Sequence, residues 1–206
     1  MKILILGATG KSGRAVTAEA LARGHEVVAV VHKTTPAGQP GLHIVHGDVH
    51  DAQSIVHALQ GCDAVISCLS SWGTPRKDVL ASAMRSVIPA MKTTGVRRIV
   101  TVTGNIALLP DERVNPLLRL IHSTLVFCAP KVGRDAEDHL AQLAASTLDW
   151  TSVRSPVMTN GTAGTYRLTN TVSIMGTIPR KSLATAVIDL VTSDDWVHQA
   201  PIIRRA

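Results

Sequence analysis

The chain has 206 residues, 45% of them hydrophobic and 17% charged, which is enough apolar material for the core of one α/β domain. No apolar run approaches the roughly 20 residues that span a bilayer, and the start MKILILG is too short for a signal peptide. The net charge of +6 comes without a basic run, and only three Trp, one Tyr and one Phe are available for stacking on bases. We therefore expect neither a nucleic-acid nor a membrane partner.

Cysteine and histidine usage argues against disulfides and metal sites. The three cysteines form no C-x-x-C pair, which suits a reducing compartment, and we expect a cytoplasmic protein. Four histidines lie close together in the sequence, but no cysteines or carboxylates stand at ligand spacing, so no metal site is expected. These residues are Cys62, Cys68 and Cys128, and His43, His46, His50 and His57.

Apolar runs and helical patterns alternate along the chain. Strands are predicted at 2–6, 25–31, 42–46, 63–68, 97–103 and 149–153, with a candidate edge strand at 199–203. Helices are predicted at 11–23, 51–60, 77–94, 131–146 and 181–193, with Asp51 as an N-cap. This alternation is typical of a doubly wound parallel sheet with helices on both faces, here one Rossmann-like α/β domain over 1–206. Ligands of such sheets bind at the carboxyl ends of the strands.

The segment LILGATGKSG, residues 4–13, allows two interpretations. The letters GKS end a P-loop, but a P-loop needs its first glycine five residues before Gly10, where Ile5 stands in the middle of a predicted strand. The glycines that are present form G-x-x-G-x-x-G between a strand and a helix, which is the context of a dinucleotide site. They are Gly7, Gly10 and Gly13.

Each part of this loop has a predicted role. Gly7 permits a sharp turn, Gly10 lets the backbone approach a pyrophosphate, and Gly13 lets the helix pack against the strand. The N-terminus of the helix presents free N–H groups and a partial positive charge to the phosphates. Side-chain donors are added by Thr9, Lys11 and Ser12.

The end of the second strand discriminates between cofactors. An NAD site usually has an acidic residue there to bind the ribose 2′-hydroxyl, whereas this chain has VVHKTT. A 2′-phosphate requires cations, which His32, Lys33 and Arg14 can supply. The sequence therefore favours NADP(H) over NAD(H), although Lys33 can also be read as a solvated loop lysine.

A series of segments carries a family resemblance. GATGKSG, VVHKTT, GDVHD, DAVISCLS, RRIVTVTG and LDWTSVRSPVMTNG occur in this order. Together they resemble the atypical short-chain dehydrogenase superfamily, in particular the NAD(P)H-binding group that includes NmrA-like proteins and biliverdin reductase B, a flavin reductase. The resemblance covers nearly the whole chain.

The resemblance implies a set of cofactor contacts. The pyrophosphate loop would run from Thr9 to Arg14, with His32 and Lys33 at the adenosine phosphate and Asp48 and Val49 at the adenine. The wall beside the ribose would be Cys68, Leu69 and Ser70. The nicotinamide would lie near Thr101, Val102 and Thr103, with its carboxamide held by Pro156, Val157 and Met158.

The Tyr-x-x-x-Lys dyad of typical short-chain dehydrogenases is missing. Tyr166 is the only tyrosine, and Asn170 stands where the lysine would be. Thr103 is the one candidate catalytic hydroxyl, but its pKa is far too high for a strong acid. Flavin reductases of this group often have a serine after the threonine, whereas this chain has Gly104. Because positioning supplies most of the rate of hydride transfer to a conjugated acceptor, the pattern favours such an acceptor or no catalysis.

Three hypotheses follow. The first is an NADPH-dependent reductase of a flavin, quinone or similar planar acceptor, and the second is a non-catalytic NADP(H)-sensing regulatory protein of the NmrA-like kind. The third, an epimerase acting on a nucleotide-linked substrate, is disfavoured by the missing dyad. A monomer and a homodimer both remain open.

Two further segments are predicted near the acceptor. Residues 105–130 are apolar and contain three prolines, and we expect a helix that serves either as a lid or as a dimer surface. Residues 131–140, KVGRDAEDHL, place acids at the start of a helix, which suits the helix dipole. The resemblance leaves Lys131, Arg134 and His139 as candidate substrate contacts.

Overall fold

A computed structural model describes the chain apart from residues 33–35, 73, 111 and 173–174, and apart from the side chains at 125 and 128. The strands are β1 Lys2–Leu6, β2 Glu26–Val31, β3 Leu42–His46, β4 Ala64–Ser67, β5 Arg98–Gly104, β6 Asp149–Ser155, β7 Val157–Thr159, β8 Tyr166–Thr169, β9 Thr177–Pro179 and β10 Ile202–Arg205. The helices are α1 Lys11–Ala22, α2 Ala52–Ala58, α3 Val79–Thr94, α4 Pro116–Cys128, α5 Pro130–Ala144 and α6 Arg180–Val191.

Within the described residues, eight strands form one sheet in the order β3-β2-β1-β4-β5-β6-β10-β8. Its strand pairs are parallel except for the antiparallel pair of β10 and β8. The strand order reverses between β1 and β4, since β2 and β3 extend to one side of β1 and the later strands to the other. Such a switch point opens a crevice at the carboxyl ends of the strands, and the loop after β1 lies there. The predicted Rossmann-like, doubly wound fold is confirmed.

Helices cover both faces of the sheet. In β1, Ile3 and Ile5 join a core cluster with α1 and α6, whereas Leu4 and Leu6 join a second cluster with α2, α3 and α5. All four side chains are fully buried. Burial on both faces explains why KILIL is apolar at every position but its first, instead of alternating with polar residues.

The carboxyl-terminal strand differs from the prediction. The sequence suggested an edge strand at 199–203, but β10 lies inside the sheet, between β6 and β8. The true edge strand is β8, whose sequence YRLT is short and largely polar and therefore gave no strand signal. A second small sheet pairs β7 with β9.

Asp51 confirms its prediction as an N-cap. Its carboxylate accepts hydrogen bonds from the amides of Gln53 and Ser54, at 3.1 and 3.2 Å, and α2 begins one residue later. Of the apolar segment 105–130, only the second half is helical, as α4, and this helix packs against α5. No helix in the described part of the chain has the length and hydropathy needed to cross a membrane.

Candidate functional site

The loop after β1 has room for side chains at some positions only. Gly7 has a φ of +76°, and a Cβ built on it would lie 2.9 Å from the carbonyl oxygen of Cys68. A Cβ on Gly13 would lie 2.0 Å from the carbonyl oxygen of Gly7, so neither position admits a side chain without backbone movement. Gly10 is exposed, and its built Cβ meets only the Gly7 oxygen, at 3.3 Å. The outer side of the loop is thus open.

The N-terminus of α1 follows Gly10 directly. No side chain caps this helix, and its first turn contains no acidic residue. The amide of Arg14 donates to the Gly10 carbonyl at 2.9 Å, which closes the first helical turn. Uncapped N–H groups and the positive end of the helix dipole form a binding site for an anion. The residues present therefore fit a dinucleotide pyrophosphate.

A contact joins this loop to the segment after β6. The hydroxyl of Ser12 donates to the sulfur of Met158 at 3.2 Å, although 146 residues separate the two in sequence. Of the two residues that precede Met158, Pro156 is buried and Val157 is 72% exposed. The fold thus brings the predicted pyrophosphate loop and part of the predicted carboxamide segment together.

Thr103 lies at the end of β5, in register with Arg154 of β6. Its side chain is only 6% exposed, and its hydroxyl oxygen has no hydrogen-bond partner among the residues that the structure describes. Leaving a buried hydroxyl unpaired costs about 1–3 kcal/mol, so such a group usually has a partner. A bound molecule at the end of β5 would supply one.

Thr101, which was also predicted to lie near the nicotinamide, has its hydroxyl engaged inside the protein. Its side chain is fully buried, and its hydroxyl bonds to the Ser152 hydroxyl at 2.9 Å and to Nε2 of His139 at 3.0 Å. The hydroxyl therefore ties α5 to β5 and β6, which is a structural role. Burial lowers the pKa of His139 to about 4, so this histidine is neutral near pH 7. The prediction of His139 as a substrate contact is wrong, because it is 1% exposed inside the core.

Asp135 caps a helix other than its own. Its carboxylate accepts hydrogen bonds from the amides of Leu80 and Ala81, at 3.1 and 2.8 Å, and from the Ser71 hydroxyl. It thus satisfies the N-terminus of α3 and fixes the loop after β4. The expectation that the acids of 131–140 serve the dipole of their own helix is wrong, because the first turn of α5 contains none. The sequence pattern gives no sign of a cap across 55 residues.

Arg154 is a buried cation that the sequence analysis missed. Its guanidinium donates to the carbonyls of Ala200 and Ala107, at 2.7 and 3.1 Å, and binds both carboxylate oxygens of Glu112. It thereby fixes the residues that follow β5 against the sheet. The available signal was an arginine inside the otherwise uncharged strand segment WTSVRS, which has to find a partner when buried.

An open cavity of about 270 Å³ lies between α1 and the segment that leads to β3, on the side of the loop where the adenosine is expected. Arg14 and Thr17 line it from the helix, and Leu42 and residues 36–39 line it from the other side. His32 is exposed just past β2, and the predicted contact Lys33 lies outside the described residues. The position of Arg14 suits an anionic group on the adenosine.

The remaining predicted cofactor contacts differ in how exposed they are. Asp48 is exposed and accepts a hydrogen bond from the His50 amide at 2.9 Å, while Val49 and Leu69 are half-buried against the core. Ser70 is exposed. Cys68 adjoins the loop through its backbone only, because its side chain is buried and burial raises the pKa of its thiol to about 12.

Tyr166 is engaged in a structural contact. Its hydroxyl donates to the carboxylate of Asp189 on α6, which also pairs with Arg23 at 2.5 Å. Burial, followed by the contact with Asp189, raises the pKa of the tyrosine. This hydroxyl is therefore not placed to act as a general acid.

Comparison with known proteins agrees with this geometry. The NAD(P)H-binding family matches residues 7–194, and the chain belongs to this family. A nicotinamide dinucleotide is therefore the cofactor class of this chain. An uncharacterized protein of Mycobacterium tuberculosis, Rv2047c, is 31% identical over 149 residues, which are 70% of this chain and 17% of that protein. The chain thus spans less than a fifth of that relative.

Two further proteins extend the comparison. The isoflavone reductase homolog IRL of Zea mays is 34% identical over 95 residues, 41% of this chain and 31% of that protein. The anaerobillin reductase ChuY of Escherichia coli O157:H7 superimposes with a TM-score of 0.83 at 22% identity, covering 100% of this chain and 97% of that one. The latter similarity establishes the fold.

Proposed function

We propose that this protein is an NADPH-dependent reductase that delivers hydride to a flavin, a quinone or a similar planar acceptor. The observation that carries the proposal is the buried hydroxyl of Thr103 at the end of β5, which has no partner in the described part of the chain. It offers a hydrogen bond at the place where the family binds nicotinamide, yet it is no strong acid. The only tyrosine, Tyr166, is bonded to Asp189 instead.

The bound cofactor supplies a hydride from its nicotinamide ring. The chain would supply position: the N-terminus of α1 would hold the pyrophosphate, and the Thr103 hydroxyl would donate to a carboxamide or acceptor oxygen. Met158, whose sulfur accepts a hydrogen bond from the Ser12 hydroxyl, would contribute to the wall beside the nicotinamide. Reduction of a quinone then consumes one hydride from NADPH and one proton from water, and yields NADP⁺ and a hydroquinone. An acceptor of this kind needs no side-chain acid.

Arg14 supports the choice of NADPH over NADH. Its side chain lines the cavity on the adenosine side, and no acid stands at the end of β2 to bind a 2′-hydroxyl. Lys33 would add a second cation at the 2′-phosphate. The names of the maize and Escherichia coli proteins, both reductases, support the reaction class.

The second candidate is an NmrA-like sensor that binds NADP(H) and controls a partner. The bonding of the Tyr166 hydroxyl to Asp189 favours it, because a sensor needs the dinucleotide loop but no acid. A stopped-flow assay of NADPH and NADH oxidation against FMN, riboflavin and a small quinone separates the two. NADPH-selective turnover establishes a reductase. Saturable quenching of tryptophan fluorescence by NADPH without turnover establishes the sensor.

A further inference from the structure

Helix α4 leaves an apolar stripe exposed. Leu117, Leu120 and Phe127 are 66%, 65% and 86% exposed, and their spacing of three and seven residues places them on one side of the helix. The opposite side packs on α5. There, His122 bonds to Glu137 at 2.8 Å. A Cβ built on Gly133 would lie 3.0 Å from Val126, so the helices pack closely at this point.

The charged residues in the sequence around this stripe are basic. Between residues 113 and 134 the sequence contains four basic residues and no acidic one. The flanking acids Glu112 and Asp135 are engaged, the first with Arg154 and the second at the N-terminus of α3. Asp111 lies outside the described residues, and Asp138 is the first exposed acid beyond the stretch. The basic residues, all exposed, are Arg113, Arg119, Lys131 and Arg134.

We propose that α4 is an interfacial helix that docks on a lipid surface carrying anionic head groups. Exposed leucine and phenylalanine side chains can enter the boundary between head groups and acyl chains, while flanking cations bind the head groups. A second copy of the chain fits less well. A two-fold interface would pack this patch on its own copy and gather the cations of both copies there, whereas residues 113–134 offer no acid to neutralise them. This proposal departs from the expectation of no membrane partner, which was drawn from the lack of a spanning segment.

A cavity of about 500 Å³ opens beside the stripe, between α4 and α5. Phe127 and Arg134 line it together with His122, Ser123, Val126 and Pro130. Its size is within the range of small-molecule pockets, and its lining combines apolar groups with a cation. An acceptor dissolved in the membrane would reach the protein at this point. Among the acceptors considered above, a lipophilic quinone fits this route, and this narrowing rests on the proposed function.

Vesicle flotation of the full chain tests the docking directly. The probes are vesicles of phosphatidylcholine alone and of phosphatidylcholine with phosphatidylglycerol. We expect flotation with the anionic vesicles only, and a loss of binding at high salt. Leu120→Ser with Phe127→Ser should abolish flotation, whereas Met175→Ser, at a side chain that is 80% exposed, should not. These side chains are exposed, so the folded state should persist, which circular dichroism checks.

A charge-matched pair of variants tests the electrostatic part. Arg119→Glu should lower the vesicle partition coefficient by about five-fold or more, since each basic residue near an anionic surface contributes roughly that factor. Arg85→Glu, at an exposed position on α3, changes the net charge equally and should have far less effect. Equal effects of the two variants would make the binding a property of net charge and overturn the assignment to α4.

The remaining outcomes separate a failure of the docking proposal from a failure of the proposed function. Absence of flotation overturns the proposal, and a concentration-dependent dimer that Phe127→Ser dissociates would assign the stripe to a second copy. NADPH oxidation with a water-soluble quinone in the absence of vesicles is measured separately. Turnover without flotation leaves the reductase intact and removes the membrane surface. Flotation without turnover of a quinone, FMN or riboflavin keeps the docking surface and removes the proposed function.

Discussion

Arg154 and Glu112 form a buried two-point ion pair, with N···O distances of 2.6 and 2.7 Å. The two side chains are 2% and 14% exposed. Arg154 belongs to β6 and Glu112 to the segment between β5 and α4, so the pair fastens that segment to the sheet. The Glu112 carboxylate also accepts a hydrogen bond from the Leu109 amide at 3.1 Å. The pair therefore helps to hold the segment around Glu112 against β6.

Removing one partner of this pair should be costly. Glu112→Leu leaves the Arg154 charge buried without its carboxylate, and we expect the free energy of unfolding to fall by about 3–5 kcal/mol. Adding Arg154→Met should recover a large share of that loss, because the unpaired charge disappears. Urea unfolding measures both variants. Arg76→Met, which breaks an exposed pair with Asp78, is the control and should leave the midpoint nearly unchanged. Equal losses in the single and double variants would contradict the prediction.

Two glycines of the dinucleotide loop should respond differently to substitution. Gly13→Ala forces a Cβ against the Gly7 carbonyl, and we expect a loss of about 3 kcal/mol of unfolding free energy. Gly10→Leu meets only a 3.3 Å contact and should remain folded, but it should weaken NADPH binding at least ten-fold, or about 1.4 kcal/mol. Gly164→Leu, with no atom within 4 Å of its built Cβ, is the control. Unchanged NADPH affinity in Gly10→Leu would place the pyrophosphate elsewhere.

Charge reversal at the adenosine cavity should change cofactor preference. Arg14→Asp and Lys33→Asp should each weaken NADPH by about ten-fold or more and NADH much less, since each removes a charged bond to the 2′-phosphate. Tryptophan quenching titrations with both cofactors measure the ratio. Arg167→Asp, at an exposed position on β8, controls for net charge. If both affinities fall equally, the assignment of NADP(H) loses its basis.

Stability should fall in mild acid because of His139. Burial holds its pKa at about 4, below the ordinary 6.5, so the unfolded chain binds a proton before the folded one does. The contribution of His139 to the free energy of unfolding is therefore fully present above pH 6.5. It is lost as the pH falls from 6.5 towards 4, by up to about 3 kcal/mol. His139→Gln should flatten this dependence, whereas His57→Gln, at an exposed position, should not. Unfolding midpoints measured across that range decide between these outcomes.

The sequence by itself determined the parallel sheet and the glycine-rich loop after β1. Strands such as KILIL are apolar on both faces because both faces are buried, and that local pattern is sufficient to recognise a parallel sheet. Gly13 is equally local, since its Cβ would meet the Gly7 carbonyl within the same turn, and Gly7 is required by its own φ of +76°. The N-cap Asp51 acts on amides two and three residues away. In each case the physical cause lies within one element or one turn.

Tertiary structure alone decided the polar contacts across the sheet. The cap that Asp135 provides to α3 and the bond between His139 and Thr101 join groups 38 to 55 residues apart, and periodicity carries no information at that range. The pair of Arg154 and Glu112 is of the same kind, as is the place of β10 inside the sheet. A buried polar group must find a partner, but the partner is chosen by how helices pack over the sheet. Thr101 and Thr103 have identical side chains two residues apart, and only packing decides that the first hydroxyl has partners while the second has none among the described residues.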